Sequence, residues 1–146
     1  MKYFAVITAL AATCLAQNIV INIPAANSTV SPGQWVTVEV DKPGAQSPST
    51  EVALVLSMAP CPSVGCTDPS YNPSNQLGQI LYNGPYNPQY HPETGVGKPQ
   101  YQNFSIEVPT SFTSGENIAL IATHINLIGA GPEPALQVLF VPLTVV

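Results

Sequence analysis

The side chains able to do chemistry are few. Two histidines occur, His91 in the run YHPE beside Glu93, and His124 in ATHIN. A histidine beside a carboxylate is a common basis of acid–base or nucleophilic catalysis. No serine lies in a GxSxG turn, so the hydrolase nucleophile elbow is missing. Asp68 and Glu93 are loop carboxylates that could flank a glycosidic bond, but no local motif supports the pair. A metal site would have to be drawn from Asp68, His91, Glu93 and His124, and none of these shows the close ligand spacing of a known metal motif. His91 reads as a solvated loop residue. His124 reads as a half-buried strand residue with a hydrogen-bonded ring. The expectation is a protein with no catalytic residue, no cofactor and no metal.

Cysteine chemistry points to structure. Cys14 falls in an apolar leader, which leaves Cys61 and Cys66 as an even count. The segment CPSVGC is expected to close a small disulfide ring, which contributes about 2 kcal/mol on the chain-entropy model. The spacing is not that of a CxxC redox motif, and two cysteines without nearby histidine do not make a zinc site.

The other candidate residues sit between two strand-like runs, Leu77 to Tyr82 and Phe104 to Val108. The stretch between them is long and rich in Gly, Pro, Asn and Tyr. Long loops in compact domains are often functional. Tyrosines on a proline-stiffened loop suit recognition, because fixing them in a contact loses little entropy. Tyr86 and Tyr90, with His91, lie in the loop interior and form the candidate binding surface. Tyr82 and Tyr101 adjoin the strands and are expected to pack. The other reading is that the loop folds over one sheet and its tyrosines cap the core.

The positioning elements follow from period-2 patterning. Ile19, Ile21 and Ile23 alternate in a first strand, and a turn region, AANSTVSPG, follows. In QWVTVEVD, Val36, Val38 and Val40 face inward, while Trp35, Thr37, Glu39 and Asp41 face the other way. EVALVLSM is nearly all apolar, as in a central strand covered on both faces. ENIALIATHINLIG is a long β-branched strand, and LQVLFVPLTVV closes the chain as a strand broken near Pro142. The count is about seven strands with no convincing helical period. That predicts one all-β domain, residues 17–146, folded as an antiparallel β-sandwich of immunoglobulin or fibronectin type.

Residues 1–16, with Lys2 ahead of an apolar run from Phe4 to Leu15, read as a secretory signal peptide. No later run reaches the roughly 18 apolar residues of a membrane span. A soluble, extracellular protein is expected. Without the leader, Lys42 and Lys98 stand against eight acidic residues, a formal charge of −6, and the chain has no arginine. That disfavours nucleic acid and anionic membrane surfaces as partners. Asn27-Ser28-Thr29 and Asn103-Phe104-Ser105 are glycosylation sequons.

Several segments together resemble one family. They are IPAANSTVSPGQWVTVEVDKP, EVALVLSMAPC, LGQILYNGPYNPQYH, YQNFSIEVP and IALIATHINLIGAGPEP. They are similar to the fungal necrosis-inducing secreted proteins, over nearly the whole chain after the leader. LGxxLYNGPY and YQNFSxxVP are the most specific parts. The resemblance implies a small secreted effector that suppresses plant pattern-triggered immunity by binding receptor-associated kinases inside host cells, with no catalytic site to carry over. The alternative is a module binding cell-wall polysaccharide, with Trp35 and the loop tyrosines stacking on sugar faces.

Overall fold

The computed structural model describes residues 18–44, 47–94 and 97–146; the expected leader lies outside these residues. Alternating apolar residues produce eight strands: β1 (Val20–Ile23), β2 (Ser28–Val30), β3 (Trp35–Lys42), β4 (Ser49–Pro60), β5 (Gln79–Gly84), β6 (Gln100–Glu107), β7 (Asn117–Ile128) and β8 (Glu133–Val145). Short 3-10 turns occur at Pro73–Asn75 and Pro92–Thr94, and no α-helix is present among the described residues. The strands form two sheets, a three-stranded one in the order β1-β3-β6 and a five-stranded one in the order β2-β8-β7-β4-β5.

The sheets pack face to face in a sandwich-like arrangement. Val38, Val40, Phe104 and Ile106 from the smaller sheet meet Leu54, Leu56, Met58, Ile118, Leu120 and Leu143 from the larger. Each such side chain contributes about 1.5–3 kcal/mol when fully buried. The outer face of the larger sheet is covered too. There Ala59, Ala119 and Ile121 pack under Cys61, Tyr71 and Phe140, so β4 is apolar on both faces, as its composition predicts. Gly78 returns this covering loop to β5. Its φ is +72°, and an added Cβ would lie 2.3 Å from the Met58 carbonyl oxygen, so only glycine fits.

Two expectations are corrected. There are eight strands rather than seven, because Ser28–Val30, inside the predicted turn region, pairs parallel with Leu143–Val145 of β8. Burial of Val30 and the bond from the Asn27 N–H to the Pro142 carbonyl, 2.7 Å, anchor it. Nor does Pro142 break the last strand. β8 runs through it in unbroken register with β7. The Pro142 carbonyl points toward β2, so its nitrogen also points away from β7, and the missing N–H removes no bond of that ladder.

Candidate functional site

The tyrosine-rich stretch crosses from one sheet to the other, and the crossing decides which rings are available. Tyr86 is 3% exposed, which corrects its assignment to the binding surface. Its hydroxyl donates to the Val40 carbonyl at 3.1 Å, and its ring meets His124 edge-on with centroids 5.4 Å apart. Burial, with the charges of Glu51 and Asp41, pushes the Tyr86 phenol well above its ordinary range. The physical reason lies in the turn before it. The Tyr82 hydroxyl donates to the Pro85 carbonyl at 2.6 Å, and the next residue drops between the sheets as the chain changes layer. Tyr90, at 57% exposed, remains on the surface. His91 is half-buried, stacked on Tyr101 at 4.2 Å between centroids, with Nδ1 3.2 Å from Glu93 Oε1. Tyr101 is buried and Tyr82 half-buried, as expected for residues next to strands. The stretch therefore divides its rings: Tyr86 caps the core and Tyr90 faces out.

The returning chain lies on the outer face of the smaller sheet. Glu39 and Asp41 point outward, as their alternation requires, yet both are buried beneath it. Glu39 accepts from Asn22 Nδ2 at 2.6 Å and Lys98 Nζ at 2.9 Å, and Lys98 sits 4.2 Å from the Tyr101 ring centroid. Burial alone would raise the Glu39 carboxyl, but the hydrogen bonds from Asn22 and Lys98 outweigh it and hold the group below its ordinary value. Asp41 goes the other way: burial and the neighbouring Glu39 charge raise it. Its Oδ1 is buried without a partner.

A second charged cluster was not legible as a site. Glu51 Oε2 meets His124 Nε2, Lys42 Nζ lies 2.6 Å from Glu51 Oε1, and Ser49 Oγ donates to the same oxygen at 3.1 Å. A bulge makes this possible. The β4–β7 register slips between Glu51 and Ala53, leaving Val52 unpaired. Strict alternation with inward Leu54 would turn Glu51 to the outside; the extra residue turns it inward. His124 is 1% exposed rather than half-buried, and its Nδ1 has no partner. Burial would raise Glu51, but hydrogen bonds from His124 and Lys42 outweigh it and lower the carboxyl to about 2. The available signal was a glutamate opening an otherwise apolar strand, a residue seldom buried unless paired.

The remaining candidates lie apart. Cys61 and Cys66 form a disulfide with Cα atoms 5.0 Å apart. Asp68 bonds to Ser70 on the loop over the larger sheet, whereas Glu93 lies over the smaller one. Two packed sheets separate them, so they cannot flank one bond. Among the described residues, no group of three or more His, Cys, Asp or Glu is placed to hold a metal ion. Asn27, with a φ of 65°, and Asn103 are both exposed. Trp35 is 65% exposed. No curated protein matches the chain. A family model does match, across residues 16–144, and the chain belongs to the Nis1 family, a group of fungal effector-like proteins.

Proposed function

We propose that this protein is secreted and acts by binding a host protein, with no turnover of its own. The family match over residues 16–144 carries the reading. Receptor-associated plant kinases are the partners that the resemblance implies, and reaching them requires entry into host cells. Two features support a binding role. In the Lys42–Glu51–His124 cluster the His124 ring is buried and Glu51 is engaged on both oxygens, which favours a structural role for these charges. Tyr90 and Trp35, by contrast, present aromatic surface to solvent. The disulfide suits an oxidising export route, and no helix among the described residues is long and apolar enough to cross a membrane. Asn27 and Asn103 are both exposed, and we take Asn27, which stands in a turn, as the glycan acceptor ahead of Asn103. We likewise propose the immunoglobulin or fibronectin type for the sandwich, which its two face-to-face sheets support.

The exposed Trp35 is the observation that favours polysaccharide binding instead. Co-precipitation of the mature protein with kinase domains of plant receptor complexes, run beside pull-down on insoluble glucan, chitin and cellulose, separates the two. Retention by a kinase domain and recovery in the polysaccharide supernatants is expected. The reverse pattern would overturn the host-protein reading.

A further inference from the structure

The edge strands of the two sheets, β5 and β6, lie on the same side of the sandwich, with a groove of about 400 Å³ between them. Ile80, Leu81, Val108 and Pro109 line its apolar part, and Trp35 and Glu107 stand at its rim. β6 pairs with β3 on one side only. Its other side carries a single bridge, Gln89 to Tyr101. The Tyr101 N–H and C=O both face that bridge, so by alternation the backbone groups of Asn103, Ser105 and Glu107 face away from β3 as well. No strand covers them among the described residues. An open edge of this kind is a template for an added strand.

Trp35 and Glu107 are directly opposed in register, so their side chains share the outer face. Both are exposed. An indole face beside a free carboxylate is the chemistry that holds a guanidinium or ammonium group, through cation–π attraction and an ion pair. The charge balance points the same way. The two lysines beyond the leader are both engaged within the fold, Lys98 with Glu39 and Lys42 with Glu51, whereas Glu107 makes no ion pair among the described residues. A sugar platform fits less well. Tyr90, the other strongly exposed ring, adjoins the Gln89–Tyr101 bridge, six strand residues from Glu107 and so roughly 20 Å away.

We propose that the open edge of β6 takes an extended segment of a partner polypeptide, with a basic side chain over Trp35 against Glu107 and an apolar neighbour in the groove. This rests on the host-protein reading and specifies the surface it uses.

Trp35 is the chain's only tryptophan, so its fluorescence reports this site directly. The mature protein is titrated with an octapeptide alternating Arg and Val, with the same peptide carrying Glu for Arg, with the Arg peptide N-methylated at alternate residues, and with cellohexaose and chitohexaose. A saturable change with the Arg peptide alone is expected. N-methylation should weaken it about tenfold by removing strand bonds, and Glu107→Gln about fivefold. An equal response to the Glu peptide, a response to an oligosaccharide with none to the Arg peptide, or no saturable change with any probe at millimolar concentration while circular dichroism shows an intact fold would each overturn the proposal. No host protein enters the titration, so failure of kinase co-precipitation tests the broader reading separately.

Discussion

Two carboxylates in this protein have the same partners on paper, a lysine and a nitrogen-bearing side chain, yet they sit in opposite situations. Glu51 lies between the sheets, bonded by His124, Lys42 and Ser49. Glu39 lies on the outer face of the smaller sheet, bonded by Asn22 and Lys98, with a second carboxyl, Asp41, two residues along the same strand. The inner cluster holds one acid with both oxygens met, and its unpartnered buried atom is a nitrogen, His124 Nδ1, and not a carboxylate oxygen. The outer cluster carries an acid too many, and the surplus oxygen, Asp41 Oδ1, is left without a partner. The difference teaches that burial of a charge is tolerable when the neighbouring donors match it in number, and that a mismatch shows as one carboxyl lowered and its neighbour raised.

The largest expected effect comes from breaking the inner cluster. Glu51→Ala leaves His124 and Lys42 without their acceptor, and urea denaturation should show a loss of about 4 kcal/mol. The same group sets an acid limit. Its folded value of about 2 lies below the ordinary 4.5, so the unfolded chain binds more protons in that interval. The Glu51 contribution is fully present above about 4.5 and lost as the pH falls toward about 2. Thermal melts across this range should lose less stability in Glu51→Gln than in the wild type.

Tyr86→Ala removes the ring that packs on His124 and should cost about 3 kcal/mol. Tyr90→Ala, a few residues along the same stretch, should change stability by less than about 0.5 kcal/mol. Equal losses in the two variants would mean that the stretch packs differently. The smallest effect is the sharpest test of the outer cluster. Asp41→Asn keeps the shape and removes the surplus charge, and at neutral pH it should stabilise the fold by about 0.5 kcal/mol. The sign follows from the raised Asp41 carboxyl, which favours the folded state only while protonated. A loss of stability at neutral pH would show that Asp41 is held as an anion.

Local pattern was sufficient for much of this molecule. Alternation placed the strands, separated Trp35 from the inward valines and marked β4 as a strand covered on both faces. Short sequence separation was sufficient for the Cys61–Cys66 ring. Both signals work because a side chain's face, or a small ring's closure, depends only on residues a few positions away. What escaped the sequence depends on partners distant along the chain. β2 exists because the end of β8, more than a hundred residues later, lies beside it. Tyr86 is buried because the chain changes sheets at that point. Glu51 meets His124 because one extra residue, Val52, shifts the register of β4 on β7. A bulge leaves no mark in composition, and a one-residue slip reverses the face of everything beyond it. For that reason the charged cluster in the core was decided by the tertiary structure alone.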